Sequence, residues 1–212
     1  VIDSENTGIM ILDRADGDLL DLIESPVYNE KLAVELFAQV CEAISYCHTH
    51  NVAHLDIKPE NILYYKTSDG KYNLKLADFG GSQILSPQST LTRGIRGTIH
   101  YTAPECFTRE YDAKKADIWS LGILFHVMLT GFWPYSETLS HNKPRPVRRD
   151  TISFACKDLY IPCINQMMSW EPQLRPSIEN VQIPTTEPHT RVELRRSRKS
   201  RNLLTLFKNV RK

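Results

Sequence analysis

The order of apolar and polar side chains changes period several times along the chain, and each change marks an element. Residues 7–12 form a short apolar run, which predicts a buried strand. A polar break at 13–17 follows, and 18–23 resumes with helical spacing before Ser25-Pro26. The strongest periodicity lies in 30–50, where Leu32, Leu36, Val40, Ala43, Ile44 and Cys47 recur at three- and four-residue steps. That spacing gives one apolar stripe and predicts a long helix, with Asn51 as its stop.

Short strand-like runs come next, among them 62–65, and residues 72–76 alternate like the second strand of a hairpin. Ser68-Asp69-Gly70 supplies a turn between them. Residues 81–102 are polar, contain glycine and have no period, so a long loop is expected. From Ala116 the pattern is helical again, but Ile118, Trp119, Leu121, Leu124, Phe125, Met128 and Leu129 surround the helix on every side. Such a helix belongs in a domain centre. Gly131-Phe132-Trp133-Pro134 ends it, residues 136–151 are polar and basic, and further helical segments are expected at 159–170 and 176–181.

Composition narrows the class without naming a function. A chain of 212 residues has room for one large domain or two small ones. Its 41% hydrophobic and 24% charged residues are ordinary for a soluble globular protein. A net charge of +1 carries no nucleic-acid signature, so no nucleic-acid partner is expected. The five cysteines Cys41, Cys47, Cys106, Cys156 and Cys163 are odd in number and include no C-x-x-C pair, which fits reduced thiols of an intracellular protein. No apolar run approaches the ~20 residues that span a bilayer, and no signal peptide opens the chain. A cytoplasmic location is the expectation. The chain begins at Val1 rather than Met, which reads as a partial sequence.

Charge is uneven at one end. Arg195, Arg196, Arg198, Lys199, Arg201, Lys208, Arg211 and Lys212 crowd the last residues, with Leu203, Leu206, Phe207 and Val210 at helical spacing among them. One reading is a basic helix that docks on a partner or a membrane surface. The other is a solvated tail.

Candidate chemistry sits in His54-Leu55-Asp56-Ile57-Lys58-Pro59-Glu60-Asn61. Asp56, Lys58 and Asn61 can face one point in space. Phosphoryl transfer needs a carboxylate to orient the attacking hydroxyl, a cation near the moving phosphate and an amide oxygen on Mg²⁺. The octet meets the pattern H-R-D-x-x-x-x-N except for Leu55 in place of Arg. Any one of these residues alone reads as ordinary surface. Four later signals follow in order: Asp78-Phe79-Gly80, Ala103-Pro104-Glu105, Asp117-Ile118-Trp119-Ser120-Leu121-Gly122, and Arg175-Pro176.

With those five signals the chain resembles the larger, C-terminal lobe of a eukaryotic protein kinase over residues 7–181. The resemblance implies an α+β fold, mainly α, with most of the β-rich N-terminal lobe absent. It divides the chain into a remnant of the small lobe and hinge entry at 1–12, the C-terminal lobe at 13–183, and the basic tail at 184–212. ATP and Mg²⁺ are the implied cofactors.

Residue roles follow from the same resemblance. Asp56 would orient the substrate hydroxyl and Lys58 would neutralise the transferring phosphate, a Lys here being similar to Ser/Thr-specific kinases. Asn61 and Asp78 would hold Mg²⁺. Thr98 would hydrogen-bond toward Asp56 and Lys58. Glu105 and Arg175 would form a buried ion pair, and Asp117 would anchor the catalytic-loop backbone. Leu12 would be the gatekeeper, with Asp13, Arg14 and Ala15 presenting backbone to adenine. Asp18 would contact the ribose, and Leu63 and Ala77 would floor the adenine site. His54 and Phe79 would be packing residues.

Within the family the chain is most similar to the Mos kinases. His-Leu-Asp at 54–56, Asp-Phe-Gly-Gly-Ser at 78–82, Arg-Gly-Thr-Ile-His-Tyr at 96–101 and Lys-Ala-Asp-Ile at 115–118 carry that likeness. It implies a MAP kinase kinase as substrate and oocyte meiosis as setting. Leu55 removes the arginine that most kinases use to grip a phosphorylated activation loop, so activity independent of that switch is expected. The Gly-rich loop, the strand lysine and its partner glutamate have no counterpart in these residues, so the chain alone is expected to be nearly inactive. The alternative is a truncated kinase lobe that acts as a regulator or decoy of another kinase.

Overall fold

A computed structural model of the chain describes residues 2–4, 7–9, 11–107, 110–134 and 157–184. The polar stretch 136–151, Cys156 and the basic tail, each read above from sequence, lie outside the described residues.

In chain order, β1 (Ile2–Ser4) and β2 (Thr7–Ile9) pair as an antiparallel hairpin. The expected strand at 7–12 is therefore shorter than its apolar run, and Ile11 and Leu12 lie past its end, exposed. Strand β3 (Gly17–Asp18) leads into helix α1 (Leu19–Ile23), whose start is a reciprocal capping box between Asp18 and Asp21. Helix α2 (Glu30–Thr49) starts at Asn29, whose side chain accepts from the Leu32 amide at 3.0 Å. It stops where Asn51 turns left-handed, at φ +56°. Of the sequence stripe, Leu36, Val40, Ile44 and Cys47 are buried, together with Phe37 and Cys41, while Leu32 and Ala43 are half-buried.

Strand β4 (Val52–Ala53) then enters the octet. Beyond it, β5 (Ile62–Lys66) and β6 (Tyr72–Leu76) form the expected hairpin, with Ile62 opposite Leu76, and β3 joins on the other side of β5. The stretch expected as a plain loop has more structure than its composition suggests. Within it, β7 (Gln83–Ile84) pairs with β4, and β8 (Leu91–Thr92) pairs with β9 (Tyr111–Asp112). Those strands are two residues long, too short to show a period of two in sequence.

Helix α3 (Ala113–Thr130) begins three residues before its apolar run because Asp112 caps it, accepting from the Lys115 amide at 3.0 Å. Gly131 closes it at φ +74°. Nearly every residue of α3 is buried, as a central helix requires. Phe37 of α2 stacks on Phe125 of α3 with ring centroids 4.1 Å apart. Burying such a side chain contributes about 1.5–3 kcal/mol.

Helix α4 (Lys157–Met167) crosses α3 at Gly122, where a Cβ would come within 2.7 Å of Met168 Cγ and 3.0 Å of Met167 Cβ. The last expected helix, 176–181, is only a single tight turn at Ile178–Asn180. Six residues are too few to offset the cost of helix nucleation. No described helix is long and apolar enough to cross a membrane.

Candidate active site

The octet leaves β4 and is held from below by α3. Asp117, fully buried, accepts the backbone amide of His54 at 2.8 Å on Oδ2 and that of Leu55 at 2.7 Å on Oδ1. A third donor, His48 Nε2 from α2, meets Asp117 Oδ2 at 2.8 Å. The sequence gives no sign of His48, because nothing in the α2 stripe sets it apart from a core residue. This clamp fixes Leu55 in the left-handed region at φ +63°, which costs a branched residue about 1–3 kcal/mol. Such strain persists where surrounding contacts over-determine it.

His54 is buried, its ring edge-on to Phe79 at 4.9 Å and its Nε2 at 2.9 Å from the Ala77 carbonyl. The first is a packing contact and the second a hydrogen bond. The turn so placed lets Asp56, Lys58 and Asn61 converge. Asn61 Nδ2 donates to the Asp56 carbonyl at 2.8 Å and to Asp56 Oδ2 at 2.9 Å. Lys58 Nζ lies 3.2 Å from Asp56 Oδ2.

Thr98 arrives from 42 residues away. Its amide and its hydroxyl both donate to Asp56 Oδ1, at 2.9 and 3.0 Å. The Thr98 hydroxyl in turn accepts from Lys58 Nζ at 2.8 Å. Burial alone would raise the Asp56 pKa. The Thr98 hydroxyl, Asn61, Lys58 and the Thr98 amide together outweigh that and hold the carboxyl below its ordinary value. Asp56 is thus held as an anion, with Oδ1 facing Thr98 and Oδ2 facing Asn61 and Lys58.

Close approach makes this possible. Gly97 sits at φ +73°, and a Cβ there would lie 2.3 Å from the Leu55 carbonyl oxygen and 2.9 Å from Asp56 Oδ1. Only glycine fits, a requirement visible in sequence merely as one glycine in a loop.

Asn61 and Asp78 lie at the adjoining ends of β5 and β6, where the Ala77 amide donates to the Asn61 carbonyl at 2.8 Å. Because Asn61 Nδ2 is spent on Asp56, its Oδ1 is left as an oxygen donor. Asp78 is left-handed at φ +52°, exposed, and accepts from Gly80 N at 3.1 Å on Oδ1. An amide oxygen and a carboxylate form the hard, sparse donor set that suits Mg²⁺, which takes its other ligands from water and phosphate. These residues fit the ion. Among the described residues no cluster of three His, Cys, Asp or Glu side chains offers an all-protein metal cage.

The segment 13–18 runs along the β5–β6 hairpin. Asp18 pairs opposite Leu63, and Gly17 opposite Tyr64. Tyr65 Oη donates to the Asp13 carbonyl at 3.2 Å, and Lys75 Nζ lies 3.3 Å from Asp13 Oδ2. The structure therefore sets Asp18 beside Leu63 and ties Asp13 to Tyr65 and Lys75, whereas Ala77 lies past β6 on the other flank of β5, opposite Asn61. Ala15 is half-buried, and Leu12 and Arg14 are exposed. Tyr65 and Lys75, which tie that segment down, carry no sequence signal.

Farther out, Arg175 and Glu105 meet in a two-pronged pair, Nη2 to Oε2 at 2.8 Å. Arg175 also donates from Nε to the Ser169 carbonyl at 2.8 Å and from Nη1 to the Lys115 carbonyl at 2.9 Å. Its guanidinium lies 4.9 Å from the Trp119 ring centroid. Asp117 thus braces the octet through His54 and Leu55, and the Arg175–Glu105 pair ties Glu105 to the residues after α4.

A mainly helical domain that presents an aspartate–lysine–threonine cluster beside a Mg²⁺-compatible Asn–Asp pair has the parts of a phosphoryl-transfer site. The family model described as protein kinase domain matches residues 1–184. The chain belongs to the protein kinase family. It is 36% identical over 197 residues to the human (Homo sapiens) SNF-related serine/threonine-protein kinase, covering 86% of this chain and 24% of that protein. It is 32% identical over 192 residues to the ovarian-specific serine/threonine-protein kinase Lok of Drosophila melanogaster, covering 85% of this chain and 40% of that protein. A third relative, the putative sperm motility kinase W of Mus musculus, is 35% identical over 175 residues, with 78% and 33% covered. The chain spans less than half the length of each of these curated relatives.

Proposed function

We propose that this chain carries the catalytic loop of a serine/threonine protein kinase that moves the γ-phosphate of ATP to a hydroxyl of a protein substrate. The observation that carries the reading is the Asp56–Thr98–Lys58 cluster, in which one carboxylate is held anionic beside an ammonium. Asp56 accepts and orients the substrate hydroxyl with its anionic oxygens. Lys58 places positive charge where the phosphoryl group passes. Asn61 and Asp78 would hold Mg²⁺, which would supply charge neutralisation on the phosphates. Leu63, Ala77 and the segment from Leu12 to Ala15 bind adenine, and Asp18 binds the ribose. In this reading residues 13–183 form the C-terminal lobe and 1–12 the entry from the small lobe.

The test is Mg-ATP-dependent phosphotransfer by the full-length protein. Asp56→Ala should abolish it while circular dichroism stays unchanged. A folded full-length protein that shows no transfer, but alters the activity of another kinase on binding it, would replace this reading with the regulator.

A narrower assignment, to a Mos-like kinase acting on a MAP kinase kinase in oocyte meiosis, is supported by Leu55 and the motifs at 78–82, 96–101 and 115–118. The relatives named above are of other kinds. Phosphorylation of a purified MAP kinase kinase, measured against a panel of unrelated substrates, decides it.

A further inference from the structure

The segment that leaves the site at Asp78 returns to it at Gly97-Thr98. Arg96, immediately before that return, has an environment the catalytic reading does not use. It is half-buried, and its Nε is shielded from solvent with no acceptor among the described residues. Its Nη2 donates to Gln83 Oε1 at 3.3 Å. No described carboxylate is bonded to it. Shielding a guanidinium donor without a carboxylate is unfavourable, and such a cost persists where the residue's position is used elsewhere.

The position of Gln83 supplies that use. Gln83 lies in β7 and pairs opposite Ala53 of β4, the residue directly before His54. The bond from Arg96 therefore ties the returning limb of the segment to the strand that feeds the catalytic loop. Two further bonds fix the same turn: Tyr111 Oη donates to the Gly94 carbonyl at 2.9 Å, and Thr102 Oγ1 to the Thr98 carbonyl at 3.0 Å. Between these ties stands Gly97, whose backbone presses on Leu55 without room for a side chain.

We propose that Arg96 and Gln83 are positioning residues, a latch that seats Gly97 on Leu55 and so holds Thr98 on Asp56 in the unmodified chain. The inference rests on the reading of Asp56 as the group that orients the substrate hydroxyl. The latch contains no phosphorylatable side chain. At 55, whose backbone meets Gly97, stands a buried leucine that carries no charge. The segment is therefore seated by an arginine–amide contact of its own, with no phosphoryl group required.

The experiment is amide hydrogen exchange of the Thr98 N–H, which donates to Asp56 Oδ1, followed by NMR in the whole chain. Unseating Thr98 frees that donor, so Gln83→Ala, which changes no charge, should speed its exchange several-fold. Arg96→Ala should speed it further, and Arg96→Lys should restore part of the protection. Arg93→Ala removes a like charge from the same segment, at an exposed pair with Glu110, and should leave the rate in place. An unchanged Thr98 exchange rate in folded Gln83→Ala overturns the latch. If Arg96→Ala fails to fold, Gln83→Ala carries the test alone. In the full-length protein, phosphatase treatment should leave kcat unchanged, and Gln83→Ala should lower kcat with little change in KM for ATP. A kcat lost on phosphatase treatment overturns the latch, whereas wild-type protein without any turnover overturns the kinase reading instead.

Discussion

The carboxylate of Asp117 accepts the amide of Leu55 at 2.7 Å while Leu55 holds a left-handed backbone at φ +63°. The same carboxylate also accepts from His48 Nε2 and the His54 amide, each at 2.8 Å. Three buried donors share two oxygens. Asp117→Asn would leave one acceptor oxygen and put an NH₂ group where donors already point. At least one buried N–H then loses its partner, at a cost of about 1–3 kcal/mol. The urea midpoint should fall with the slope unchanged, and the strained Leu55 turn should relax, as read by faster amide exchange at 54–56.

Arg175 offers a sharper contrast. It is 1% exposed and bonds Glu105 as well as the Ser169 and Lys115 carbonyls. Arg175→Ala should destabilise by about 3–5 kcal/mol, because it strands a poorly solvated carboxylate. Replacing both partners, Arg175→Met with Glu105→Leu, should recover a large part of that loss. Chemical denaturation of the single and double variants checks it, and strict additivity would count against a coupled pair.

Gly97→Ala adds one carbon at a place where an ideal Cβ falls 2.3 Å from the Leu55 carbonyl oxygen. It also asks alanine for φ +73°. The strain, about 1–3 kcal/mol, is relieved by withdrawing the segment from the octet. Amide exchange at Thr98 should accelerate many-fold, and phosphotransfer by the full-length protein should fall with it.

Acid should loosen the site in a defined direction. The folded-state pKa of Asp56 is lowered, by hydrogen bonds that outweigh its burial. Its contribution to stability is therefore complete above the unfolded carboxyl value, about 3.9, and is lost as pH falls through the lower folded value. Thr98→Val removes one of those bonds and shrinks the contribution. Melting temperatures of wild type and Thr98→Val should differ at neutral pH and converge in strong acid.

Four described cysteines, Cys41, Cys47, Cys106 and Cys163, are buried and unpaired with one another. Burial pushes the thiols of Cys47, Cys106 and Cys163 up to about 12 and that of Cys41 well above its usual value. Thiolate, the reactive form, is scarce in the folded chain at neutral pH. Iodoacetamide should label these four only after urea is added, with mass spectrometry as the readout.

Much of the fold was legible along the chain. The stripe of α2, the β5–β6 hairpin and the all-round apolar surface of α3 each follow from spacing that decides which side chains can be buried together. The short pairs β4–β7 and β8–β9 were not legible, because two-residue strands exist only through their partners. The segment 176–181 shows the reverse error, where apolar spacing without enough length gave one turn instead of a helix.

For the candidate site the division is as clear. Sequence alone determined the residue types and their order: Asp56, Lys58 and Asn61 within one octet, then Asp78, Glu105, Asp117 and Arg175. Short-range spacing sufficed there, since a turn of a few residues limits where its side chains can go. The tertiary structure decided that His48 shares Asp117 with the octet and that Thr98 meets Asp56 through a glycine with no room for a side chain. It also brought Arg96 within reach of Gln83. Each of those contacts joins residues far apart in the chain, two of them against local backbone or burial preference. Only the packing of α2, α3 and the returning segment around the octet supplies the free energy that holds them there.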